Sequence, residues 1–223
     1  EQAQTQVNAA ARKHKQEFNM CGYAAPKIDT VRIGYIGLGN RGAAAAVRIT
    51  NIAGVDVKAI CDNRPERTAY VLDKIKGTAH KPTAYNDGDE AWKKICERDD
   101  IDLIYICTPW PLHAPMALYA MNHGKHAAVE VPAAQTLEEC WQLVETSEKT
   151  KRHCMILENG CYGFFNLLTL NMVRQGFFGE IIHTEGAYIN DIARSLFDRE
   201  RRPGSWRLNE NAHRNGNLYP THG

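Results

Sequence analysis

The feature that most constrains this chain is a glycine cluster, Gly37-Leu38-Gly39-Asn40-Arg41-Gly42, set between an apolar run from Val31 to Ile36 and a helix-forming run from Arg41 to Asn51. Strand, tight glycine turn and helix, in that order, open a βαβ unit, and G-x-G-x-x-G in that place suits a dinucleotide pyrophosphate. Gly37 permits the turn, Gly39 lets the backbone approach the phosphates, and Gly42 lets helix and strand pack with no Cβ between them. Asn40 and Arg41 then stand at the helix N-terminus, whose free N–H groups and dipole favour an anion. The next apolar run, Val55 to Cys61, leads into Asp62. A carboxylate there accepts hydrogen bonds from the adenosine ribose hydroxyls and repels the extra phosphate of NADP, so NAD is the expected cofactor. Arg64 and Arg67 nearby read as a solvated helix face.

Strands and helices continue to alternate. The pattern predicts helices near 66–76, 89–98 and 113–122, a weak strand at 83–85, and strands at 101–107, 126–131 and 153–158. Thr136-Leu137-Glu138-Glu139 reads as a capping box that starts a helix running to about Thr150. Such alternation implies a parallel sheet covered on both faces, a doubly wound α/β Rossmann fold. Further on, a helix at 165–175 and a strand at 180–188 begin a second, α/β open-sheet unit, and from Asp191 to Gly223 the periodicity fails. The expected organisation is an N-terminal arm or short helix over 1–27, a Rossmann domain over 28–158, and over 159–223 the start of a substrate domain that is incomplete in this chain.

Composition removes several function classes. With 43% hydrophobic and 24% charged residues and a net charge of +1, the chain has no basic surplus to attract nucleic acid. Its apolar runs break far short of the ~20 residues that a bilayer span needs. Seven cysteines form no C-x-x-C pair, so most read as buried thiols rather than a disulfide framework. No carboxylate or histidine cluster has metal-ligand spacing, and no catalytic metal is expected. The sequence opens at Glu1 without a methionine, so an upstream segment is expected to have been removed or left out, a cleaved export signal being one reading. A periplasmic or secreted location and a cytoplasmic one both stay open, as does a homo-oligomer.

Two further runs carry a family resemblance: Cys107-Thr108-Pro109-Trp110-Pro111-Leu112-His113 after the fourth strand, and Gly124-Lys125-His126-Ala127-Ala128-Val129-Glu130-Val131-Pro132. They resemble the Gfo/Idh/MocA oxidoreductase family, whose dehydrogenases have Glu-Lys-Pro where this chain has Glu130-Val131-Pro132. Three stretches are more similar to a subgroup, the NAD-dependent glycosidases of glycoside hydrolase family 109, typified by α-N-acetylgalactosaminidase. These are Ala127 to Ala134, Met155 to Tyr162, and Asn215 to Gly223, which contains Tyr-Pro-Thr-His.

The resemblance implies a retaining glycosidase of N-acetylgalactosaminides that recycles NAD through oxidation at sugar C3, deprotonation at C2, elimination, water addition and re-reduction. It assigns proton handling to Tyr188, Tyr219 and His222. His222 is matched to the C3 hydroxyl proton, Tyr188 to the C2 proton and Tyr219 to orienting or polarising the substrate, with the three roles open to exchange. Tyr and His suit such work as tuned acids and bases. Thr108, Pro109 and Trp110 fall on the cofactor side. His113, at a strand end, allows two readings, a nicotinamide-side contact or a helix-start residue. Glu130 is placed near the nicotinamide ribose, with a sheet-end ion pair as its alternative. Asn159 is a further cofactor contact and Tyr162 a substrate contact. Trp206 and Arg207 either stack on and hydrogen-bond a sugar or anchor their own loop. The alternatives to a glycosidase are an NAD-dependent sugar dehydrogenase and a non-catalytic NAD-binding module.

Overall fold

The computed structural model describes residues 14–185 and 206–213. The chain divides into two compact units, Glu1–Ile156 and Leu157–Gly223. In the first, six parallel strands alternate with helices: β1 (Val31–Ile36), α1 (Asn40–Ile49), β2 (Val55–Cys61), α2 (Pro65–Ile75), β3 (Thr83–Tyr85), α3 (Ala91–Cys96) and β4 (Leu103–Ile106). A 3-10 turn (Trp110–Leu112) leads into α4 (His113–Asn122), followed by β5 (His126–Val129), α5 (Leu137–Thr150) and β6 (Cys154–Ile156). The sheet order is β3-β2-β1-β4-β5-β6, the doubly wound Rossmann arrangement.

Side chains of successive strand residues point to opposite faces, and both faces are covered. Ile33 and Tyr35 of β1 pack with Ala43 and Ala46 of α1 and Val71 and Ile75 of α2. On the other face Ile36, Ile104 and Val129 pack with Ile95 of α3, Met116 and Met121 of α4 and Leu143 of α5. That two-sided burial is why the strands read as continuous apolar runs. At the amino edge of the sheet the Arg32 guanidinium holds Asp102 with two bonds of 2.7 and 2.9 Å, and this lowers the ionisation range of the Asp102 carboxyl.

The capping box is present. Thr136 Oγ1 accepts the Glu139 N–H at 3.1 Å, and Glu139 Oε2 accepts the Thr136 N–H at 3.1 Å and the Gln135 N–H at 2.6 Å. Thr136→Ala should therefore cost about 1 kcal/mol and lower the melting temperature by about 2–4 °C, as scanning calorimetry would read. An unchanged melting temperature would show that the cap contributes nothing to α5.

Of the arm or short helix expected over 1–27, residues 14–27 contain no helix and run as an irregular strap along α5. His14 stacks on Trp141 with ring centroids 4.9 Å apart, Gln16 bonds the buried Glu148 at 3.2 Å, and Tyr23 packs on His153. Cys61 and Cys96 are buried and Cys107 and Cys154 half-buried, but Cys21, Cys140 and Cys161 are exposed, so the thiols are less uniformly interior than expected.

The second unit contains α6 (Phe164–Arg174) and α7 (Trp206–His213). Two expectations are corrected here. Residues 180–185 form no strand: an extended segment needs a neighbour for its backbone N–H and C=O groups, and none of the described residues of this unit forms a strand. Trp206 and Arg207 lie in a helix rather than a loop, in a stretch free of Gly and Pro that includes the good helix formers Arg207, Leu208, Glu210 and Ala212. Among the described residues no helix is long and apolar enough to cross a membrane.

Candidate functional site

In a parallel sheet every strand ends on the same edge, and where the order reverses, between β1 and β4, the loops diverge and leave a crevice. This edge collects Gly37 to Gly42 after β1, Asp62 after β2, Thr108 to Trp110 after β4, and Glu130 after β5. The topology thus gathers the expected cofactor residues of the first unit from four separate places in the sequence.

The glycine turn is tight in two different ways. Gly37 has φ +86°, and a Cβ on it would lie 2.7 Å from the Cys107 carbonyl group. On Gly42 a Cβ would lie 1.9 Å from the Gly37 oxygen. Gly39 is different, because a Cβ there would meet no protein atom within 4 Å. No protein contact in the fold accounts for that glycine. Helix α1 starts at this point with no side-chain cap on Gly39 and no acidic residue in its first turn, so its N–H groups and dipole face the space a diphosphate would take. The Cys107 Cβ lies against Gly42, 3.0 Å from where a Cβ on that glycine would stand. Burial first, and then Glu130, push the ionisation of the Cys107 thiol well above the usual thiol range, so it adds no negative charge under an anion site.

Asp62 is only 8% exposed. Its Oδ2 accepts the Leu38 N–H at 2.7 Å, and its Oδ1 accepts the Arg64 N–H at 3.0 Å and Arg64 Nε at 3.3 Å. The carboxylate therefore shapes the glycine turn. Arg67 is not the solvated helix residue expected: its Nε donates to the Leu38 carbonyl at 2.7 Å. Leu38 is fully buried, so its carbonyl needs a donor, and the first turn of α2 supplies one. Leu38 and Arg67 were missed by sequence reasoning; only the position of Leu38 inside the glycine motif hinted at such a role. Asp62→Ala should lose charge-assisted bonds worth about 1.5–3 kcal/mol, weaken NAD about ten- to a hundredfold and raise NADP relative to NAD. Titration calorimetry with both dinucleotides checks this, and an unchanged NAD affinity would contradict it.

Across the crevice, Arg41 Nε lies 3.1 Å from Glu130 Oε1, an ion pair that joins the first turn of α1 to the end of β5. Glu130 is nearly buried, at 9% exposure. Thr108 Oγ1 contacts the Met116 sulfur at 3.6 Å, and Pro109 leads into the 3-10 turn. Trp110 is buried, at 3% exposure. His113 is 1% exposed, with Nδ1 at 2.7 Å from the Pro132 carbonyl and Nε2 at 2.8 Å from the Thr108 carbonyl. Asn40 is exposed at the head of α1.

Of the remaining candidates, Asn159 and Tyr162 lie in the second unit and both are exposed. The Asn159 N–H bonds Glu158 Oε1 at 2.7 Å. The Arg207 guanidinium sits 5.0 Å above the Trp206 ring centroid, so these two side chains pair with each other. Tyr188, Tyr219 and His222 lie outside the described residues.

The geometry suits a dinucleotide: open space beside Gly39, a helix start with no side-chain cap, a buried carboxylate at the end of β2, and the loops after β4 and β5 on the same edge. Known proteins agree. Among the structures similar in fold is scyllo-inositol dehydrogenase from Lactobacillus casei with bound NAD(H) and scyllo-inositol, with TM-score 0.61, 21% identity, and coverage of 68% of this chain and 43% of that one. At that identity the likeness speaks for the fold alone. Glycosyl hydrolase family 109 protein 1 of Bacteroides fragilis is 51% identical over 210 residues, covering 92% of this chain and 44% of that protein. Alpha-N-acetylgalactosaminidase of the same species is 48% identical over 215 residues, covering 95% of this chain and 50% of that protein. The chain thus spans about half the length of the curated relatives it matches. Residues 162–223 match the C-terminal domain of glycosyl hydrolase 109, and residues 31–158 match the oxidoreductase family with the NAD-binding Rossmann fold; the chain belongs to the Gfo/Idh/MocA family.

Proposed function

We propose that the whole protein is an NAD-dependent retaining glycosidase acting on N-acetylgalactosaminides. The observation that carries this reading is the match of residues 162–223 to the family 109 C-terminal domain, directly after a Rossmann domain in which Val131 replaces the dehydrogenase lysine. Glycoside hydrolysis involves no net oxidation and ordinarily uses two carboxylates, so a bound dinucleotide calls for a different route. The hydride chemistry at sugar C3 would be supplied by bound NAD, with no net consumption of the cofactor.

The chain's own residues hold the cofactor and move protons. Gly37, Gly39 and Gly42 seat the diphosphate, Asp62 the adenosine ribose, and Glu130, paired to Arg41, stands on the nicotinamide side. His222 handles the C3 hydroxyl proton. Tyr188 removes the C2 proton made acidic by the neighbouring ketone, the aglycone leaves C1, and water adds to the unsaturated sugar. Tyr219 orients the substrate, while Tyr162, Trp206 and Arg207 contribute from the second unit. The partner is thus a small-molecule glycoside.

Nitrophenyl N-acetylgalactosaminides incubated with the full-length protein should release phenolate without build-up of NADH. Sustained NADH accumulation without phenolate would overturn the glycosidase and establish a sugar dehydrogenase. A non-catalytic NAD-binding module would give neither product and would leave the sugar C2 hydrogen unexchanged in deuterated water.

A further inference from the structure

His113 opens α4 and is all but fully buried, yet both of its ring nitrogens face backbone carbonyls, Pro132 at 2.7 Å and Thr108 at 2.8 Å. The two carbonyls belong to different loops, one leaving β4 and the other leaving β5. A carbonyl oxygen only accepts, so each contact needs an N–H, whereas a neutral imidazole has one N–H and one bare lone pair. A nitrogen lone pair held under 3 Å from a carbonyl oxygen, away from water, sets two acceptors against each other and leaves both unsatisfied. The arrangement closes only with a donor at each nitrogen.

We propose that His113 carries a hydrogen on both ring nitrogens and acts as a cationic cross-link that spaces the Thr108 and Pro132 loops, making it a positioning residue for the nicotinamide half of the dinucleotide site. The proposal rests on the reading of this sheet edge as that site. Two carbonyl oxygens face the ring, one acceptor for each nitrogen. The link also extends further. Pro132 follows Glu130 by two residues, and the Glu130 carboxylate pairs with Arg41 on α1. His113 therefore ties the β4 loop, the β5 loop and, through Glu130, the head of α1, while its two hydrogen bonds go to Thr108 and Pro132 and not to Gly39 or Asp62, where the ADP half would bind.

Two measurements on the full-length protein test this. In protein labelled with 15N-histidine, the resonances that vanish in His113→Asn belong to His113. Both should have the shifts of protonated ring nitrogens at neutral pH, and one unprotonated nitrogen would overturn the cross-link without any variant having to fold well. Affinities for NADH and for 5′-ADP are then compared in wild type, His113→Asn and His113→Gln, each of which can reach only one carbonyl. NADH should weaken about tenfold or more, with 5′-ADP held within about twofold. Equal losses for both ligands, or no loss, would overturn the positioning role. A wild-type protein that binds neither ligand would overturn the dinucleotide reading and the positioning role with it, while the resonances would still decide the cross-link.

Discussion

Replacing His222 by alanine in the full-length protein should cost at least about a hundredfold in turnover and leave NAD affinity within about twofold of wild type. The two effects separate because the residues proposed to seat the cofactor, Gly37 to Gly42 and Asp62, lie early in the chain, while His222 lies in the Tyr-Pro-Thr-His stretch. A group that transfers a proton in the transition state contributes about a hundred- to ten-thousandfold, and its loss lowers turnover without removing ground-state binding. Steady-state rates with a nitrophenyl N-acetylgalactosaminide, beside a calorimetric NAD titration, give both numbers. If His222→Ala lost NAD and regained its full rate when resaturated, the histidine would be structural and the proton would have to be assigned elsewhere, first to Tyr188 or Tyr219.

Much of the first unit was legible in the sequence because its signals are local. The glycine turn, the apolar β1 run and the start of α1 are contiguous, and the Thr136 capping box needs only four residues to declare itself. What could not be read there depends on residues far apart in the chain. That Arg67 would bond the Leu38 carbonyl follows from how α2 packs on the glycine turn, and nothing in the arginine's neighbours reveals it. Glu130 was open between a cofactor contact and an ion pair; its pairing with Arg41 spans 89 residues and exists only because β5 and α1 end on one edge. His113 likewise turned on Pro132, a residue of the next loop. The second unit was less legible. An apparent strand at 180–188 has the right residues but, across 180–185, no partner among the described residues, and the helix at Trp206 carries too short a period to stand out from an Arg- and Asn-rich stretch.

Two glycine substitutions only three residues apart should fail for opposite reasons. Gly42→Ala places a Cβ 1.9 Å from the Gly37 oxygen and 3.0 Å from the Cys107 Cβ, neither of which is the end of a flexible side chain. The turn must open, at a cost of about 1–3 kcal/mol in stability. The N–H groups aimed at the phosphates move with it, so NAD affinity should fall by about a hundredfold or more, and the melting temperature should fall as well. Gly39→Ala adds its methyl where no protein atom lies within 4 Å, at a negative φ of −58°. Stability should hold or rise slightly, because alanine leaves the unfolded chain less entropy to lose. NAD should nonetheless weaken to a similar degree, since the methyl occupies the space through which the pyrophosphate reaches the backbone. Melting curves and NAD titrations of the two variants therefore separate a glycine required by packing from one required by the ligand. Normal NAD binding by Gly39→Ala would move the pyrophosphate off this turn, and a wild-type melting curve for Gly42→Ala would show that helix and strand can part without cost.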